Sequence, residues 1–385
     1  MNEKISIAII GSGEMAVTLV ENAKKMGFIS HTFSNDMTDK AVGLSDYHHN
    51  VSIFEVGEIV NICKDIGAKG VLPTTELTIS VAANVAKELG LHGMPVDVSQ
   101  KITDKGYVRE CAVSVESIHQ PNYLIWNRGE EVPCINDFPV IVKPTAMGGK
   151  RGVTVAYSQE DLISALEYAV DNMPAHKTRV IIEEFLVGGT EFSVESLSFE
   201  GEHKVIQVTE KITSGPPHCV ELGHIQPARI SREIRKNIEV AIPKLLEKCG
   251  IDNTTSHTEI KVIEDKIYLI ELNARSGGDH ISYPLTELST GYPYLQGAIK
   301  IAIGNYEHPI IDVCENHCCG VIFVAKQTKQ FLELFNKCEE YSWLYKKNIS
   351  SDELIEIINN HSFDTNYFIF CSDKDVPTEI SSLLN

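Results

Sequence analysis

The segment from His257 to Gly278, HTEIKVIEDKIYLIELNARSGG, constrains this chain more than any other. Two apolar runs flank the turn-forming pair Glu264-Asp265, with Glu259 early in the first run and Glu271 and Asn273 late in the second. Two such runs around a tight turn predict a hairpin. Pairing about the turn sets Glu259 opposite the Glu271 region, and Glu271 and Asn273, two apart, share one face of the sheet. Carboxylates among apolar neighbours are costly unless paired or metal-bound. Two carboxylates and an amide oxygen on one face are a hard-oxygen set suited to Mg²⁺, which takes few protein ligands and completes its shell with phosphates. Arg275 follows two residues on, placed to hold a phosphoryl group bidentately.

Three other segments carry chemistry. Val142-Lys143-Pro144 ends an apolar strand on a lysine, and the basic loop Thr145-Ala146-Met147-Gly148-Gly149-Lys150-Arg151-Gly152 follows. Glycines let backbone N–H groups approach phosphate oxygens while the cations neutralise them, so this reads as a lid over a triphosphate. It lacks the register of a Walker loop. In the run 180–187, Glu183 and Glu184 interrupt an apolar strand; adjacent side chains point to opposite faces, so one of the two meets the interior or a ligand. In the segment 209–228, His218, Glu221 and His224 recur at a spacing of three, but Pro216, Pro217 and Pro227 favour a loop over a helix.

The rest of the chain reads as three regions. Residues 1–100 alternate apolar runs with helical patterns, from the strand ISIAII to a helix ending at Gly90, which predicts a small parallel α/β domain. Residues 101–187 read as a linker helix and a compact α+β lid. From residue 188 onward the chain reads as a mixed-sheet domain to residue 385, with a variable extension from about residue 305. It contains a hairpin turning near Glu200-Gly201 and a helix that Ser231 caps and Gly250 ends. Gly11-Ser12-Gly13 sits at a strand–helix turn, but Ala16 breaks the dinucleotide fingerprint, so substrate contact at the strand's carboxyl end is the better reading.

The formal net charge of −19 and the lack of a basic stripe exclude a nucleic-acid partner. The chain has no long uncharged apolar stretch, which speaks against a membrane span. The N-terminal apolar run ends in glycines without a signal-peptide cleavage pattern. The ten cysteines read as reduced thiols of a cytoplasmic protein. Among them, Cys314, Cys318 and Cys319 with His317 read as small side chains entering a strand, not as a metal site.

In this order the four segments resemble the ATP-grasp superfamily, over about residues 1–305. Asp104-Lys105 with Arg109 is similar to the start of its ATP-binding portion. The resemblance implies that Lys105 and Lys143 hold the nucleotide phosphates beneath a mobile loop containing Gly148, Gly149 and Gly152. Glu183, Glu184, Phe185 and Leu186 would form the hinge strand around adenine, with Glu191 as a ribose contact. Glu259, Glu271 and Asn273 would be the magnesium ligands, and Arg275 would steady the transferred phosphate. The segment 209–228, with Gly277, Gly278, Asp279 and His280, looks like the substrate-facing part of L-amino-acid ligases. His218, Glu221 and His224 would then face the substrate. The expected activity is an ATP- and Mg²⁺-dependent carboxylate–amine ligase, with Mn²⁺ as a substitute metal, acting through an acyl phosphate on small molecules. The alternative is a carboxylase or a purine-pathway-like carboxylating or formyl-transferring enzyme of the same superfamily. A homodimer is an assembly common to this fold class.

Overall fold

The apolar run near the N-terminus forms β1 (Ser6–Ile10), buried along its whole length. In this computed structural model, residues 4–216, 219–310, 317–358 and 364–384 are described. Strand β1 lies inside a four-stranded parallel sheet with β2 (Ile29–Phe33), β3 (Tyr47–His49) and β4 (Gly70–Pro73), in the order β3-β2-β1-β4. Burial on both faces by helices explains the unbroken apolar run. These helices are α1 (Glu14–Lys25), α2 (Val56–Asp65) and α3 (Glu76–Leu89). Helix α3 ends on Gly90 in the left-handed region, as expected. Gly11 has a second reason to be glycine. A Cβ there would lie 2.2 Å from the Thr74 hydroxyl, which donates to the Ile10 carbonyl and ties β4 to β1.

Two short helices follow, α4 (Val96–Ser99) and α5 (Lys105–Ala112). Asp104 caps α5 by accepting from the Gly106 and Tyr107 amides. The second sheet is antiparallel and small: β5 (Tyr123–Asn127), β6 (Val140–Pro144), β7 (Thr154–Ala156) and β8 (Arg179–Glu184), in the order β5-β8-β6-β7, with α6 (Gln159–Asp171) on one face.

The third sheet has eight strands in the order β13-β12-β9-β10-β11-β14-β16-β15. They are β9 (Thr190–Phe199), β10 (Glu202–Thr213), β11 (Glu221–Gln226), β12 (Thr254–Ile263), β13 (Lys266–Asn273), β14 (Cys318–Val324), β15 (Leu344–Asn348) and β16 (Asn366–Ser372). Helix α7 (Arg232–Lys248), capped by Ser231, packs Ile238, Ile242 and Leu245 on Val194, Val208, Ile260 and Leu269 of one sheet face. Beyond β13 come α8 (Thr286–Thr290) and α9 (Tyr294–Ala302), and α9 joins the first sheet to β9 through Leu295, Ala298 and Ile299.

The mixed α/β fold class expected from the sequence is found: a parallel sheet, a small antiparallel lid sheet and a larger antiparallel sheet. Period two along β9, β10 and β12 leaves the opposite face of the third sheet polar, and that face carries the candidate site. Cys318 and Cys319 are buried free thiols at the start of β14, and Cys314 lies outside the described residues. Among the described residues, no helix is long and apolar enough to cross a membrane.

Candidate active site

Glu264 and Asp265 both adopt positive φ, 48° and 63°, the signature of a two-residue hairpin turn. That turn sets the register. Glu259 pairs with Glu271 and His257 with Asn273, so all four share one face. The register shifts just after Glu259, where Ile260 pairs with Leu269 and Ile270 is the extra residue. The Ile270 carbonyl accepts from Arg109 Nη2 at 2.9 Å.

The two carboxylates are ionised. Burial pushes Glu259 up, but the Lys211 ammonium at 3.1 Å and His257 at 3.4 Å outweigh it and hold the carboxyl well below its usual range. Glu271 behaves alike: burial raises it, Lys105 at 3.3 Å lowers it further, and Glu259 opposes. Asn273 gives its amide nitrogen to Glu271 at 3.3 Å, so its amide oxygen is the atom it could offer a ligand. Two ionised, register-paired carboxylates beside an amide fit a hard divalent cation.

Lysines line the lid side. Lys105 at the start of α5 donates to the Met147 carbonyl at 3.0 Å, and Lys177 donates to Ala146. Lys143, at the end of β6, contacts Glu183 at 2.5 Å, and Arg109 meets the same carboxylate at 2.6 Å. Glu183 is driven up by burial and brought down to about 2 by these two cations. Lys143 is lowered, chiefly by burial, although Glu183 pulls it upward, and Arg109 and Lys105 add repulsion. The two shifts describe one cluster: two cations share one anion, so Lys143 is under-neutralised. Burial is the largest influence on Lys150 and pushes it down, but Glu259, Glu221 and Glu191 together outweigh it and hold the ammonium above its usual range.

Two lid glycines, Gly149 and Gly152, have positive φ of 68° and 69°. Gly148 leans on the first domain, where a Cβ would fall 2.3 Å from Glu76 Oε1. Arg275 reaches the same Glu76 at 3.5 Å. The lid tip, the start of α3 and the residues just after β13 therefore meet at one point.

On β8 Glu183 turns inward and Glu184 outward, where it accepts from the Asn122 amide at 3.3 Å and side chain at 3.1 Å. Phe185, Leu186 and Glu191 converge on Lys261. Its Nζ lies 5.8 Å from the Phe185 ring centre, 2.9 Å from the Leu186 carbonyl and 3.5 Å from Glu191.

Residues 221–226, expected as loop, are a strand. The cis Gln226-Pro227 bond follows that strand. Side chains three apart in a regular strand face opposite ways. Here the register slips between Ile212 and Thr213, leaving Leu222 as an extra residue in β11. That bulge turns Glu221 to the side of His224. Glu221 then meets Lys211 at 2.6 Å and His224 at 3.2 Å. Asp279 joins them, the three offering ligand atoms within 4.8 Å of one another. Lys211 stays protonated, since Glu221 and Glu259 outweigh the cost of its burial. His218 lies outside the described residues.

A cavity of about 900 Å³ opens beside these groups. Glu221, Glu259, Arg275, Gly277 and Gly278 line it, together with Gly148 and Gly149 of the lid. Its far wall holds Tyr345, Lys346 and Tyr367, from the extension that sequence reading left without a role. Lys211, Lys261 and Glu76 also escaped that reading, and Glu195 and His257, though they fall within its motifs, were given no role. Lys211 carried no distinct signal, standing late in β10 in the mixed polar and apolar run Thr209-Glu210-Lys211-Ile212-Thr213.

Residues 136–283 match the ATP-grasp domain family. Over those residues the chain carries an ATP-grasp domain. It is 28% identical over 278 residues to the alanine–anticapsin ligase of Bacillus subtilis (strain 168), an alignment covering 61% of this chain and 57% of that protein. The chain spans about half the length of the curated relatives it matches. By fold it is similar to the L-amino acid ligase from Bacillus licheniformis, with TM-score 0.80 and 19% identity, covering 100% of this chain and 97% of that one. It is also similar to the biotin carboxylase domain of Hydrogenobacter thermophilus 2-oxoglutarate carboxylase, in complex with ADP, its magnesium salt and bicarbonate. There the TM-score is 0.71 at 16% identity, covering 97% and 87% of the two chains.

Proposed function

We propose that this enzyme uses ATP to phosphorylate a carboxylate and passes the resulting acyl group to a nitrogen nucleophile, releasing ADP and phosphate. The observation that carries this reading is the facing pair Glu259–Glu271, ionised and ringed by Lys105, Lys143 and Lys150 at the mouth of a cavity that also holds Arg275. On this reading the charge would gather at the terminal phosphate, whereas an adenylating enzyme would direct it to the α-phosphate.

Glu259, Glu271 and Asn273 would hold Mg²⁺, which when bound neutralises phosphate oxygens during transfer. Lys143 and Lys105 are held by carboxylates and turn toward the phosphates as these arrive; phosphate also relieves the crowding of Lys143 by Arg109 and Lys105. Arg275 orients the acid's oxygen or the transferred group. The lid excludes water, which would otherwise hydrolyse the acyl phosphate. Phe185, Leu186 and Lys261 would border the base, and Glu191 the ribose. Glu221, which lines the cavity, would accept a hydrogen bond from an incoming ammonium, with His224 held against it at 3.2 Å.

Two acids fit this common step. An amino acid follows from the likeness to the alanine–anticapsin ligase. Bicarbonate follows from the similar structures, more of which are carboxylating enzymes than peptide-forming ones. The test incubates enzyme, ATP and Mg²⁺ with amino acids singly and in pairs, and separately with bicarbonate and amines, then separates nucleotides and weighs products. ADP and phosphate are expected; stoichiometric AMP overturns the mechanism. ADP that appears only with bicarbonate assigns the carboxylating chemistry.

The lid yields a second expected result. Amides of residues 145–152 exchange quickly in the free enzyme, because glycines and few buried contacts hold them, and slow by roughly tenfold or more with ATP and Mg²⁺. Slow exchange indifferent to nucleotide counts against a closing lid.

A further inference from the structure

Beside Glu259 stands a buried pair of which His257 lines the cavity and Glu195 lies behind it, outside the lining. Glu195 sits mid-strand on β9 with no solvent exposure. The β9–β12 register pairs it with His257, and its Oε1 lies 2.5 Å from His257 Nδ1. Through its other ring nitrogen His257 reaches Glu259 Oε1 at 3.4 Å. The second oxygen of Glu195 is engaged too: it accepts from the Gly277 amide at 3.3 Å and the Ser282 hydroxyl at 3.0 Å. Gly277 is pressed onto the pair, since a Cβ there would lie 2.6 Å from His257 Nδ1 and 3.0 Å from Glu195 Oε2.

One buried carboxylate thus grips two things. On one side it fixes the imidazole that steadies Glu259. On the other it fixes the backbone running from Arg275 through Gly277 and Gly278 along the cavity wall to Ser282. We propose that Glu195 and His257 are positioning residues that set the metal-binding carboxylate Glu259 and the cavity loop 275–282 from a single buried point. The inference rests on the reading of Glu259 as a metal ligand. Outer partners that orient ligating groups commonly change metal affinity about 10–100-fold when removed.

The two ring nitrogens can be separated by substitution. Asn at position 257 keeps a donor near Nδ1 for Glu195 but cannot reach Glu259. Gln keeps a donor near Nε2. The probe is Mn²⁺ in the presence of ADP, titrated on the full chain by the EPR signal of free Mn²⁺, with metal-free ADP binding and thermal melting as controls. His257→Asn is expected to weaken Mn²⁺ binding roughly tenfold or more, and His257→Gln, which keeps the Glu259 contact but loses the Glu195 anchor, to weaken it by only about threefold to fivefold. Glu195→Gln, which keeps an acceptor for Gly277 and Ser282, should weaken Mn²⁺ binding like His257→Gln while leaving metal-free ADP binding unchanged. Parent-like Mn²⁺ binding in His257→Asn and Glu195→Gln overturns the inference, and so does equal damage in the Asn and Gln variants, which would mark a merely structural role. Glu259→Gln separates the two readings. If it also binds Mn²⁺ like the parent, the metal assignment itself fails; if it alone loses Mn²⁺, that assignment stands and only the positioning role falls.

Discussion

Glu271→Gln is expected to lower ADP formation by roughly 10³-fold, the rate equivalent of about 4 kcal/mol of charge stabilisation. Glutamine is a better probe than alanine. It keeps an acceptor for the Asn273 amide, and Lys105 still feels the charges of Glu76 and Glu183 after Glu271 is neutralised. A buried lysine left beside an alanine would mix a folding defect into the result. The measurement is ADP release with the acid found by the product screen, at several Mg²⁺ concentrations, alongside a melting curve. A melting temperature near the parent's, with activity partly recovered at high Mg²⁺, is the pattern of a weakened metal ligand. Turnover close to the parent's at low Mg²⁺ would remove Glu271 from the site.

The same hairpin shows what can be read from a sequence and what cannot. Its register was legible because Glu264-Asp265 is a local turn signal, and a local turn decides which residues face each other. The helix limits at Ser231 and Gly90 were legible for the same reason: a cap acts within one turn of chain. Glu195 meets His257, and Lys211 reaches Glu259, because β9 lies between β10 and β12, a neighbour relation set by packing over long sequence separations. Periodicity says that Lys211 points to one face, not what waits there. The β11 misreading has a narrower cause. Three prolines argued against regular structure, and a single extra residue, Leu222, undid the spacing rule for Glu221 and His224. Tyr345 and Tyr367 line the cavity only because β15 and β16 extend the same sheet, which no motif announces.

Glu183→Gln is expected to be the most destabilising single change in the candidate site, at about 3–5 kcal/mol. Arg109 is 1% exposed and Lys143 6%, so the substitution strands two buried cations without an anion. The reverse change, Arg109→Met, should cost less, because Lys143 remains to neutralise Glu183. The same cluster predicts an acid limb. Glu183 has a folded-state value lowered to about 2 from an ordinary 4.5. A carboxylate depressed by folding binds fewer protons folded than unfolded, so its stabilisation is fully present above the unfolded value. It is lost as pH falls from about 4.5 through about 2. The parent should therefore lose stability steeply across that window in chemical-denaturation experiments, and Glu183→Gln, already lacking the carboxylate, should show a shallower slope there. Because Lys143 is itself lowered by burial, nucleotide phosphate should return part of the lost stability to Glu183→Gln by supplying a new anion. A variant that melts like the parent, keeps the same acid slope and gains nothing from ATP would show that Arg109 and Lys143 do not depend on Glu183.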